Sequence, residues 1–109
     1  MYYLLKRTSV DQFDIGDRVM VLADFNGITA GDKGVVVEIY GNIGGHRGVM
    51  IKWEPCEKCA PGEDCGRRPQ RDGFGEEELG YLAIGTNKHP EEIAVTVTFA
   101  PYGRTNQKP

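Results

Sequence analysis

The residues best suited to chemistry are Cys56, Cys59 and Cys65, the three cysteines of a 109-residue chain. All lie in EPCEKCAPGEDCGRRPQRDGFGEEEL, residues 54–79, among proline, glycine and charge. The Cys56-x2-Cys59 pair has the spacing that lets two thiolates face one tetrahedral zinc ion, with Cys65 as third ligand. A structural zinc site takes four ligands. His89 follows the apolar stretch LGYLAI and can return to the same end of a sheet as the cysteines. His46 is disfavoured, because an extended strand between it and Cys56 would separate them by roughly 30 Å. Glu63 and Asp64 are local oxygen alternatives. A structural zinc ion, a disulfide and free thiols all fit the cysteine pattern. The odd count leaves one thiol over in any internal pairing, and a reducing compartment disfavours disulfides. A thioredoxin-type redox pair does not fit. That chemistry needs the CxxC at a helix N-terminus, and here Pro61-Gly62 follows.

Arg67, Arg68 and Arg71 form a small basic island in RRPQR. It suits a phosphate or acidic-partner contact, or a solvated loop balanced by Glu76-Glu77-Glu78. Among the aromatics, Phe25 sits in a loop of turn-forming residues, where it suits a partner contact or a lid on the core, and Tyr40 shares a strand face with Glu38, so both are candidate contact residues for a peptide or protein surface. Trp53 shares a face with Val49 and Ile51 and reads as core. There is no G-x-S-x-G, no H-E-x-x-H and no phosphate loop, so the expectation is a protein without catalytic activity.

These groups must be carried by strands. The length is that of one domain able to bury a core. Apolar residues make up 39% and the formal charge is −3, which does not suggest a phosphate-binding surface. In residues 1–53, six basic side chains balance six acidic ones, whereas residues 54–80 hold four basic against eight acidic. The start MYYLLKRTSV lacks the h-region of a signal peptide, and no segment has the apolar length of a bilayer span. The expected location is cytoplasmic, without a membrane.

No stretch has a sustained 3.6-residue apolar period. Short runs rich in Val, Ile and Thr are bounded by Gly, Asp and Asn, which are strand and turn signals. Strands are expected at MYYLL, from Arg18, at GVVVEIY, VMIKWE, LGYLAI and IAVTVTFA. In GVVVEIY, Val35, Val37 and Ile39 fall on one face, with Val36, Glu38 and Tyr40 on the other. In IAVTVTFA, Ile93, Val95, Val97 and Phe99 should pack inward while the Thr face is solvated. That strand also offers an edge for a partner or a second copy. Residues 1–100 are read as one domain with 54–78 as a long inserted loop, and 101–109 as a flexible tail.

The segment IGDRVMVLADFNGITAGDKGVVVEIYG resembles the opening of SH3-like small barrels, and within those the KOW-type pattern. Gly16-Asp17 precedes a strand, a loop ends at Gly31, and Gly34 leads into VVVEI. GVMIKWE is similar to the next strand of such a barrel, and GFGEEELGYL to its last. The resemblance implies an all-β, SH3-like barrel of five or six short strands. It also implies RNA or DNA binding in transcription or translation machinery, or packing against a protein partner. The neutral balance of residues 1–53 gives a polyanion little to hold. The expected function is therefore a protein-interaction module or accessory subunit, with a KOW-like nucleic-acid binder as the alternative.

Overall fold

Seven short strands pair into a single antiparallel sheet in the computed structural model, which describes residues 1–24, 27–41, 45–54 and 70–97. The strands are β1 (Tyr2–Leu5), β2 (Arg18–Val21), β3 (Lys33–Tyr40), β4 (Gly48–Trp53), β5 (Arg71–Gly75), β6 (Leu82–Ile84) and β7 (Ile93–Val97). Their order is β5-β4-β3-β2-β6-β1-β7. β2 to β5 form a meander of sequential neighbours. A 3₁₀ turn over Glu76–Tyr81 then returns the chain to β6, which pairs with β2. The fold is thus all-β, and the sheet runs from β5 at one end to β7 at the other.

Two elements differ from the expectation of a loop over residues 54–78 and a strand over LGYLAI. Arg71–Gly75 pairs with β4, so the described part of that stretch extends the sheet. Leu79-Gly80-Tyr81 belongs to the 3₁₀ turn, leaving only Leu82–Ile84 as strand. Local chemistry accounts for the turn: the Gly75 amide donates to Glu78 Oε1 at 3.1 Å, and Leu79 is fully buried beneath it.

Alternation sets the core on one face. Val49, Ile51 and Trp53 of β4 are buried as expected, with Phe74 of β5 edge-on to the Trp53 ring, centroids 6.0 Å apart. Val19 and Val21 of β2, Val36 of β3 and Ile84 of β6 complete the layer. Gly34 fits there because a methyl on it would sit 2.6 Å from Ile51 Cγ2 and 2.7 Å from the Lys52 carbonyl.

Two bulges overturn the simple faces read from the sequence. In β3 the register shifts between Val36 and Glu38. Val36 pairs with buried Ile51, but Glu38 pairs with Met50 and Tyr40 with Gly48 on the opposite face. Val35, paired with Lys52, therefore shares the outer face with Glu38 and Tyr40. A bulge adds one residue and so inverts the face of everything after it. The β1–β7 ladder shifts between Leu4 and Leu5 in the same way. Leu5 and Ile93 pair on the core side, whereas Val95 pairs with Leu4 on the outer side and is 49% exposed. The inward face expected for Val95 is corrected accordingly.

Candidate functional site

Tyr40 ends β3 on the outer face, and its neighbours across the sheet have no side chains. Gly48 of β4 lies opposite it, and Gly75 of β5 lies opposite Gly48. The ring lies over this glycine floor. A methyl built on Gly48 would stand 2.6 Å from Tyr40 Cζ, and one on Gly73 would stand 3.2 Å from the hydroxyl oxygen. An aromatic ring laid over cross-strand glycines restores the packing that glycine forfeits. The ring borders an open cleft of about 550 Å³, bounded by His46 and Arg47 on one side and the Glu76–Glu78 turn on the other. Burial, followed by the negative charges of Glu78 and Asp72, raises the pKa of the Tyr40 phenol, so the hydroxyl stays neutral and available as donor and acceptor. Arg47 donates to Asp11 Oδ1 at 2.9 Å.

The other end of the same face carries a row of cations that the sequence did not single out as a group. Arg18 pairs with Val35, Val35 with Lys52, and Lys52 with Arg71. One cross-strand row thus holds three cations over four strands, and all three are exposed. Lys33, two residues before Val35, places its Nζ 5.8 Å from the Tyr2 ring centroid, in cation–π range. Arg18 Nη2 pairs with Glu54 Oε2 at 3.2 Å. Lys52 and Arg71 have no ion pair among the described residues. Arg71 was expected as part of a basic island, and its position in this row depends on strand register, which residue spacing alone does not give.

His89, the expected fourth metal ligand, caps the 3₁₀ turn Pro90–Glu92. Its Nε2 lies 3.3 Å from the Gln12 carbonyl oxygen. The preceding Lys88 bridges Asp14 Oδ2 and Asp17 Oδ2, each at 2.6 Å. Gln12, buried among apolar side chains, accepts from the Ser9 amide at 2.9 Å and donates to Glu92 Oε1. Glu92 also pairs with Arg7. These contacts tie the Ser9–Asp17 segment to the β6–β7 connection. The expected contact and ligand residues Phe25, Arg67, Arg68, Cys56, Cys59 and Cys65 lie outside the described residues, as does the tail 101–109. Among the described residues, no group of three or more His, Cys, Asp or Glu comes together in a metal-holding arrangement, and no helix is long and apolar enough to cross a membrane.

Comparison with protein-family models, with curated proteins and with solved structures gives no match.

Proposed function

We propose that the protein is a non-catalytic, cytoplasmic interaction module built on an SH3-like barrel, docking a protein partner through the outer face of β3, β4 and β5. The observation that carries this reading is Tyr40, half-buried over a glycine floor beside an open cleft. A rigid amphipathic ring next to a cleft offers contact area at little conformational cost. Support for the barrel lies in the β2–β5 meander and the 3₁₀ turn that brings β6 back to β2. Small barrels bring their first and last strands together in this way, with β1 and β7 added here outside β6.

A photo-crosslinking amino acid placed at position 40 of the full chain tests the docking surface in cells. A protein adduct, absent when the crosslinker is moved to exposed Lys6, is the expected result. No adduct, or the same adduct from position 6, refutes it. The KOW-like nucleic-acid alternative draws on one observation, the row Arg18, Lys52 and Arg71. A titration of RNA and DNA at several salt concentrations separates the two. Micromolar binding that weakens steeply with salt would favour nucleic acid, because the slope counts neutralised phosphates.

The proposal includes a structural zinc ion held by Cys56, Cys59, Cys65 and His89. Lys88, beside His89, pairs with Asp17, and Arg18 pairs with Glu54, which leads into the cysteine segment. These contacts bring Lys88, next to His89, and Glu54, from which the chain enters the cysteine segment, to adjacent residues at the start of β2, which supports this choice of fourth ligand. About one zinc per chain in protein purified without an affinity tag is expected of one four-ligand site. Three freely titratable thiols and no metal would exclude it, and a His89→Ala protein that keeps its zinc would exclude that ligand alone.

A further inference from the structure

We infer that the cation row Arg18, Lys52 and Arg71, with Lys33 beside it, is the landing surface for an acidic, extended segment of a partner protein. The inference rests on the protein-docking reading and names the chemistry of the partner.

The first argument is register. Arg18, Val35, Lys52 and Arg71 are successive partners across β2, β3, β4 and β5. At ~4.8 Å between strands, the row spans about 14 Å. The second argument is that the row works against the sheet. Lys52 and Arg71 stand directly opposite one another, and like charges in that position destabilise a strand pair. Neither has an ion pair among the described residues. A cation on β5 alone would be explained as protection of a sheet edge. Lys52 is on β4, which is paired on both sides, so edge protection does not account for it. An anionic partner does, because it would remove the repulsion on binding.

Charge distribution then selects the kind of anion. Two acids flank the row two positions away in register: Glu54, which already pairs with Arg18, and exposed Glu38, opposite Met50. Glu76, Glu77 and Glu78 border the cleft at the other end of the face, near Gly48 and Gly75. Gly48 lies four residues from Lys52 along β4, or about 13 Å. The positive field is therefore one row wide, with an acidic rim beyond it. A long polyanion leaving the row along the strands would meet those glutamates. A short acidic segment need not. In an extended chain, alternate side chains point to the same side about 7 Å apart, so acidic residues at positions i, i+2 and i+4 cover about 14 Å. That matches the length of the row, and such a segment would cross β2 to β5 at a steep angle while the rest of the partner reached Tyr40.

The test uses the full chain and a fluorescein-labelled peptide with aspartate at every second position, read by fluorescence anisotropy at low salt. A serine peptide of equal length and a single-stranded RNA decamer run alongside. The aspartate peptide should bind and the serine peptide should not. The double variant Lys52→Gln/Arg71→Gln should lose about tenfold in affinity, a change of about 1.4 kcal/mol, while its thermal midpoint should be no lower than that of wild type, because the cross-strand repulsion is removed. Lys6→Gln, which removes an exposed charge elsewhere, should bind within about twofold of wild type, under 0.5 kcal/mol. No binding of the aspartate peptide, or an equal loss in Lys6→Gln, overturns the inference. Tighter binding of the RNA than of the peptide at the same salt overturns it in favour of nucleic acid. A protein adduct at position 40 without aspartate-peptide binding would leave the docking reading standing and sink this one.

Discussion

Replacing Gly48 with alanine tests whether the Tyr40 platform is built as described. The added methyl would run into the Phe74 carbonyl oxygen and the Tyr40 hydroxyl, with Tyr40 Cζ 2.6 Å away. These obstacles differ in kind. The tyrosine ring can rotate towards solvent, whereas the carbonyl belongs to β5 and moves only if the β4–β5 ladder opens. Overpacking of this sort costs about 1–3 kcal/mol. The smaller conformational freedom of unfolded alanine returns about 0.4–1 kcal/mol. The net loss is then on the order of 1–2 kcal/mol, from those two opposing effects. For a domain of this size, each kcal/mol lowers the thermal midpoint by roughly 4–8 °C, so a drop of about 5–15 °C is expected. Urea unfolding of Gly48→Ala, Tyr40→Ala and the double variant apportions the cost. The alanine at 48 should be milder by at least ~0.5 kcal/mol when the ring is absent, the signature of residues in contact. Gly73→Ala is the control, because its methyl would be 3.2 Å from the Tyr40 hydroxyl and 3.7 Å from Met50 Cε, both ends of adjustable side chains. A Gly48→Ala protein within ~0.5 kcal/mol of wild type, the usual range for a featureless surface site, would refute the geometry of the platform.

Three further outcomes follow from the same contacts. Lys52→Glu should stabilise the fold by about 0.2–1 kcal/mol, because it places opposite charges across from one another; the gain, read by urea unfolding, should disappear in Lys52→Glu/Arg71→Glu. The Glu92 carboxyl is held below its ordinary value by the hydrogen bond from Gln12 and, less strongly, by Arg7. A lowered folded pKa gives stability that is complete above the ordinary carboxylate value and is lost as pH falls through the folded one, so stability against pH should flatten on the acid side in Glu92→Gln. If β7 pairs with a second copy through its edge, Val95→Lys should abolish a concentration-dependent dimer in sedimentation velocity, and a wild-type monomer at all concentrations would remove the edge-pairing proposal.

Composition and period were enough to find the all-β class and the face Val49, Ile51 and Trp53, because nothing interrupts the alternation in β4. They failed where a bulge intervened. Both bulges, after Val36 and opposite Leu4–Leu5, lie within unbroken apolar runs that show no glycine or proline at the fault. A bulge is set by how the partner strand fits, which residue order does not reveal. The same blindness hid β5. RDGFG carries two glycines and a single apolar residue, too little for a strand by propensity. Phe74 and pairing with β4 make it one. Of the candidate site, the face of Tyr40 was legible because it alternates with Glu38 on the same side of the bulge, but its half-burial was not, because that depends on the glycines across the strands. Arg18, Lys33 and Lys52 were legible only as a count.

That count explains why the charge argument from sequence and the charge arrangement in the fold point in different directions. Six basic and six acidic residues in positions 1–53 cancel as a sum. The field at a surface depends instead on which side chains share a face. Several acids are used inside the scaffold: Asp14 and Asp17 hold Lys88, Asp32 accepts from the Thr29 amide, and Asp24 accepts from the Ala30 amide. Three of the cations stand instead on the outer face of β2, β3 and β4, where strand register adds Arg71. Acids fold back onto backbone amides in loops because a short carboxylate reaches a nearby N–H. Long Lys and Arg side chains have no such local partner and remain in solvent. A segment that is neutral by count can therefore contribute most of a positive row, and on the same face the Tyr40 ring, laid over Gly48 and Gly73, borders an open cleft.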